Sequence, residues 1–237
     1  MCTVSWAHEP GGYHLFCNRD EKRDRAPALP SAVHHLPHRT AIFPVDPVGK
    51  GTWVGVNGAG VAAALLNRII DSAVPIDKSS LRSRGLIIPR LLDCASLKNA
   101  LDIGAALDPG DFDRFRLVVA QNTAAAIVTS DGVALSVEPT QLSRPIILTS
   151  SSLGDALVEG PRKRLFDQLF AGEARTWLRA QSRFHHHQWP SRRDISVRME
   201  RADATTVSHT VVDVSSRAIE LRYRSLDSSE SVVVRAA

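Results

Sequence analysis

Apolar residues recur along this chain with two different periods, and the changes between them outline a fold. TVSW (3–6) and YHLFC (13–17) are short apolar runs joined by HEPGG, a turn-rich link, and they predict a hairpin. TWVGVNGAGVAAALLN (52–67) predicts a second hairpin. There Asn57-Gly58 stands between two apolar runs, and such a pair tolerates the positive φ angles of a tight turn. The intervening 18–47 carries Pro27, Pro30, Pro37, Pro44 and Pro47 among scattered basic residues, a composition that predicts irregular chain.

From 80 to 107 the spacing becomes helical, interrupted at Pro89 and Gly104, so two helices are expected. RFRLVVA, AAAIVTS and GVALSVE then predict a meander of strands that turns at TSDG, and PIILTS predicts one more. LVEGPRKRLFDQLF and EARTWLRAQ read as helices, while DISVRME, TTVSHTVVDV and AIELRYR return to strand periodicity. Strands, helices, strands, helices and strands, without βαβ alternation, argue for an α+β chain. Its sheets are mainly antiparallel, its helices are segregated, and it is layered as a single domain over 1–237.

Composition removes several classes of function. The longest apolar run, Val61–Leu66, is far shorter than the roughly 20 residues of a membrane span, and no basic-then-apolar leader opens the chain. Membrane insertion is not expected, and the protein reads as soluble and cytoplasmic. Cys2, Cys17 and Cys94 lack CxxC spacing, so they form neither a disulfide framework nor a zinc knuckle, and a reducing compartment fits them. The net charge of +4 is concentrated between Pro161 and Arg193, with eight Lys/Arg against Asp167 and Glu173. That stretch reads as solvated helix faces, with Arg183, Arg192 and Arg193 as candidate anion-binding residues. No nucleic-acid motif accompanies it.

RFHHHQWPSRR (183–193) reads as a surface loop: consecutive strand residues face opposite ways, so at most His185 and His187 could share a ligand. His34, His35 and His38 are no better placed. No metal or cofactor is expected, and GVNGAG is a hairpin rather than a dinucleotide cradle.

The candidate chemistry is at the start. If Met1 is removed, Cys2 carries a thiol and a free α-amino group, and that amine titrates near about 7.7–8.0. An N-terminal nucleophile can use its own amine as general base. FCNRDEKRDRAP adds Arg19 and Asp20 just after the second strand. There a guanidinium would lower a thiol pKa and a carboxylate would hold an amine.

Together MCTVSW, YHLFCNRDEKRDRAP and GTWVGVNGAGVAAALLNR resemble the NRDE family, named for the tetrapeptide Asn18–Glu21, whose animal members are the transport-and-Golgi-organisation proteins. RSRG at 82–85, LTSSS and ATTVS extend the resemblance through most of the chain. That family in turn resembles N-terminal-nucleophile hydrolases of the choloylglycine hydrolase kind. The resemblance implies a four-layer αββα sandwich and a hydrolase of linear amide C–N bonds. Cys2 would be the nucleophile, with Arg19 and Asp20 beside it and Asn67 as an oxyanion donor.

The sequence departs from that pattern twice. At the second oxyanion position stand Asp155 or one of Ser150–Ser152, with Ser152 a helix cap or pocket residue. Thr205 stands where an Arg is expected. The alternative implied by the resemblance is a non-catalytic carrier of a large acidic amphipathic ligand such as haem or an acyl-coenzyme A. In either reading the partner is a small molecule.

Overall fold

The structure, a computed structural model, describes residues 2–70, 78–140, 144–228 and 231–235. Met1 and its removal lie outside the described residues. Chain order gives strands β1 (Cys2–Glu9), β2 (Gly12–Lys22), β3 (Leu29–His35), β4 (Thr40–Val45), β5 (Val54–Asn57) and β6 (Ala62–Asn67). Helices α1 (Ile87–Leu92) and α2 (Leu97–Ala105) follow, then β7 (Phe115–Gln121), β8 (Ala124–Ser130), β9 (Leu135–Pro139) and β10 (Ile146–Thr149). The last elements are α3 (Asp155–Leu169), α4 (Trp177–His185), β11 (Ala204–Ser215), β12 (Ile219–Ser225) and β13 (Ser231–Arg235).

Two antiparallel sheets result. One has the order β10-β1-β2-β11-β12-β13 and the other runs β3 through β9 consecutively. Strand alternation decides what each face buries. From β1 and β2, Val4, Trp6, Tyr13, Leu15 and Cys17 point between the sheets, where they meet Ile42, Val54, Val56, Ala62, Ala64 and Leu66 of the other sheet. The opposite face of the second sheet takes Ile88, Leu91 and Ala100 from α1 and α2. The outer face of the first takes Phe166, Ala180 and Phe184 from α3 and α4. This is the αββα sandwich.

Both expected hairpins are present as β1–β2 and β5–β6, and the meander as β7–β8–β9. The irregular chain expected over 18–47 is corrected. β2 continues to Lys22, so Asn18–Glu21 lies within a strand, and β3 and β4 follow. Proline is accommodated because β3 is an edge strand with an irregular register at Pro30, and Pro44 lies beyond the short β4–β5 pairing at Ala41 and Ile42. Pro89 sits in the first turn of α1, where no backbone donor is needed. The two helices are separated instead at Ser96, whose hydroxyl caps α2 by accepting from the Asn99 N–H.

DISVRME is not a strand. It pairs only through the isolated Glu200–Thr205 bridge, and Val197 is buried with Phe184 beside α4. The three-histidine segment is not wholly on the surface, since His185 ends α4 and is buried. No described helix is long and apolar enough to cross a membrane.

Candidate active site

Where β1 begins and β2 and β6 end, the sandwich opens into a cavity of about 560 Å³. Its wall includes Cys2, Arg19, Trp53, Asn67, Arg84, Ser152 and Arg201. The register explains the first two: Cys2 is paired with Arg19 across the hairpin, so both side chains leave the same face. Cys17, two positions back along β2, shares that face. The Cys17 thiol hydrogen-bonds the Cys2 sulfur and, against the cost of burial, draws the Cys2 thiol below its ordinary value. Burial first, and then the same hydrogen bond, hold the Cys17 thiol well above its own. On the other flank of β1, the Cys2 backbone N–H donates to Ser150 Oγ at 3.1 Å, and the Ser150 N–H donates to the Cys2 carbonyl at 3.0 Å.

Arg19 is buried and lies 4.4 Å above the Trp53 ring. Its Nη2 bridges Glu21 at 3.3 Å and Asp46 at 3.2 Å, and Arg25 contacts the same two carboxylates at 3.5 and 2.6 Å. Two cations and two anions thus form one compensated cluster. Burial would lift the Asp46 carboxyl, but the Arg25 hydrogen bond and the Val48 and Gly49 N–H groups outweigh it and leave Asp46 below the usual range. Gly51 and Gly85 allow the chain to cross itself closely here: a Cβ on Gly51 would lie 2.3 Å from the Gly85 carbonyl carbon. That crossing brings Arg84 to the wall. Its Nη1 donates to the Arg114 carbonyl at 2.8 Å and lies 3.5 Å from Asp113, and burial depresses its pKa. Asn67, at the last position of β6, lines the cavity, and its side-chain amide has no hydrogen-bond partner among the described residues.

Of the residues singled out from sequence, Cys2, Arg19, Asn67 and Ser152 therefore share one cavity wall. Asp20 does not. It lies on the opposite face of β2 and accepts a hydrogen bond from Thr206 Oγ1 at 2.6 Å; burial raises its pKa, opposed by the charge of Arg162. Asp155 also stands outside the cavity. It accepts from the Ser151 and Ile69 N–H groups at 2.9 and 3.1 Å and pairs with Arg116 at 2.9 Å. Thr205 borders a neighbouring cavity of about 350 Å³ that shares Arg19, Glu21, Lys22 and Arg25 with the first. Arg192 and Arg193 pair with Asp194 and Glu200 away from Cys2, and Arg183 is exposed on α4.

The sequence reading missed Arg84 and Arg201. Arg201 lies four residues before Thr205, and its Nη2 donates to Ser152 Oγ at 2.9 Å. Its side chain is buried, and Nη1 has no hydrogen-bond partner among the described residues. RSRG was visible as a motif, yet nothing local shows that its second arginine folds against Cys2. Among the described residues no group of His, Cys, Asp or Glu is arranged to hold a metal.

A family model described as Transport and Golgi organisation 2 matches residues 1–216. No curated protein matches the chain by sequence. Among solved structures, an N-acylethanolamine-hydrolyzing acid amidase ortholog from Caenorhabditis elegans is similar with a TM-score of 0.63 and 14% identity, over 90% of this chain and 92% of that one. Penicillin V acylase from Agrobacterium tumefaciens gives 0.59 and 14%, over 99% and 86%. A variant of conjugated bile acid hydrolase from Clostridium perfringens gives 0.57 and 11%, over 99% and 92%. At these identities the likeness is one of fold.

Proposed function

The chain belongs to the Transport and Golgi organisation 2 family, and on that premise we propose that it is an N-terminal cysteine hydrolase of linear amides. Removal of Met1 would leave Cys2 with a free amine. The amine takes the thiol proton, and the thiolate adds to the amide carbon while the carbonyl electrons move onto oxygen. The Asn67 amide donates to that oxyanion, a contribution worth roughly 2.7–4 kcal/mol per donor in tested enzymes. As the C–N bond breaks, the ammonium returns its proton to the leaving nitrogen. Water then hydrolyses the thioester and restores the thiol.

The observation that carries this reading is that Cys2, whose thiol is drawn down by Cys17, and Asn67, whose amide has no partner among the described residues, line the same cavity. The amide hydrolysis named for the acid amidase of the same fold supports it. The three free cysteines suit a reducing compartment such as the cytoplasm, and the buried cluster shared by both sheets supports one domain over 1–237. Incubation with a panel of N-acyl amides tests the reaction. The reading expects released acid and a transient acyl adduct on Cys2, both absent in Cys2→Ala.

The carrier reading is favoured by one observation: five basic side chains line the cavity against three acidic ones, which suits an acidic amphipathic ligand such as haem or an acyl-coenzyme A. It expects binding of such a ligand without release of product and with no loss in Cys2→Ala.

A further inference from the structure

Helical spacing gives α3 one buried stripe, Asp155, Val158, Arg162 and Phe166, and its third member is an arginine only 1% exposed. Fully buried arginines are rare and costly unless their donors are satisfied. The hydrogen bonds that Arg162 makes among the described residues all go to neutral groups. Nε donates to the Ile195 carbonyl at 3.0 Å and Nη2 to the Ser196 carbonyl at 2.8 Å; Nη1 donates to Thr3 Oγ1 at 2.8 Å and also to Thr149 Oγ1. Thr3 and Thr149 are register partners across β1 and β10. They immediately adjoin Cys2 and Ser150, whose backbones are joined by a hydrogen bond. The guanidinium thus grips the first strand one residue from the sulfur, from the face opposite the cavity.

A cation held, among the described residues, by neutral acceptors leaves its charge to be balanced from nearby. On that same face of the sheet, one strand further on, lies the buried Asp20, held by Thr206 of β11. The other charged or titratable groups facing the pair are the α-amino group and the Cys2 and Cys17 thiols beside Asp20, Asp155 at the start of α3, Arg201 ahead of β11 and His185 at the end of α4. Asp155 is already paired with Arg116, and His185 with Ser5 and Asn18.

We propose that Arg162 is a positioning residue for Cys2: it fixes the first strand through the Thr3 and Thr149 hydroxyls and supplies the countercharge that keeps buried Asp20 a carboxylate. This rests on the reading of Cys2 as the reactive group, and Arg162 itself touches neither cavity nor substrate. The two halves of the role separate by substitution. Lysine keeps the charge and loses the fork; methionine loses both; Thr149→Val removes one acceptor and leaves both charges in place.

The experiment follows the Asp20 carboxyl through its titration by carbon NMR in the full chain and in Arg162→Lys, Arg162→Met and Thr149→Val, and measures the rate of Cys2 alkylation against pH in each. In Arg162→Met the Asp20 midpoint is expected to rise by about one pH unit or more. The acid limb of the alkylation profile moves up with it. In Arg162→Lys and Thr149→Val the midpoint stays while alkylation slows at every pH. If Arg162→Met does not fold, the lysine and valine variants still decide: a displaced midpoint in either, or alkylation unslowed in both, overturns the proposal. An unmoved midpoint in a folded Arg162→Met overturns it as well. The NMR midpoint reports on Arg162 and Asp20 whether or not Cys2 hydrolyses anything. Failure of the hydrolase reading is therefore distinguishable from failure of this one.

Discussion

Acid should loosen the helix layer behind Cys2, and the size of the effect follows from one buried network. Asn18 Oδ1 accepts from His185 Nδ1 at 3.1 Å and from His209 Nδ1 at 2.8 Å, which fixes both rings as neutral Nδ1–H tautomers. His185 Nε2 is then free to accept from the Ser5 hydroxyl at 2.8 Å. His185 cannot gain a proton at Nε2 without losing the Ser5 bond, while His209 would carry the added charge in a buried setting. Burial holds His185 well below its ordinary value and brings His209 down to about 3, with His186 and two arginines adding to the effect on His209. In the unfolded chain these rings titrate near about 6.5, so between that pH and about 3 the unfolded state binds the extra proton and folding weakens as pH falls.

At roughly 1.4 kcal/mol per pH unit, each ring lowers stability by about 2 kcal/mol between about pH 7.5 and pH 5. The partly exposed edge of His209 makes this an upper figure for that ring. His209→Gln keeps a donor toward Asn18 and cannot titrate. Urea unfolding at the two pH values should show the unaltered chain losing about 2 kcal/mol more than the variant. The buried Asp20 and Asp155, raised by burial, titrate in both chains, so the difference between them isolates His209. An equal loss in both chains would refute the reasoning.

Three further outcomes follow from the site. Cys17→Ala removes the thiol that hydrogen-bonds Cys2, so the Cys2 pKa rises; its alkylation, followed by peptide mass, slows near neutral pH and recovers in alkali. Gly51→Ala forces a Cβ into the Gly85 backbone and costs about 1–3 kcal/mol by urea unfolding, while opening the wall that presents Arg84. Arg19→Met leaves Glu21 and Asp46 with Arg25 as their cation and costs about 3 kcal/mol in the same assay.

Much of this architecture was legible because alternation and helical spacing are local. The Asn57-Gly58 turn, the meander through TSDG and the two hairpins each declare themselves within a few residues. β3 and β4 were hidden because prolines usually end strands, and nothing in the sequence says that Leu29–His35 will be an edge. DISVRME misled for the converse reason: its apolar alternation is genuine, but those side chains pack beside α4 instead of joining a sheet. In the site, Cys2 opens a recognisable strand and Arg19 follows one, whereas Asn67 could be found only through the family resemblance. Arg84 and Arg201 reach the same wall only through chain crossings far apart in sequence. Arg162 was counted with a solvated basic face; its place between Val158 and Phe166 was the signal that it faces inward.

The account rests most directly on the state of Cys2. Intact mass of the purified protein, with peptide mapping after brief exposure to a thiol-reactive acyl analogue at about pH 6, tests it in one experiment. The account predicts a chain lacking Met1, with Cys2 labelled faster than a free thiol and ahead of Cys17 and Cys94. Retention of Met1, or Cys2 labelled no faster than an ordinary thiol, would contradict it.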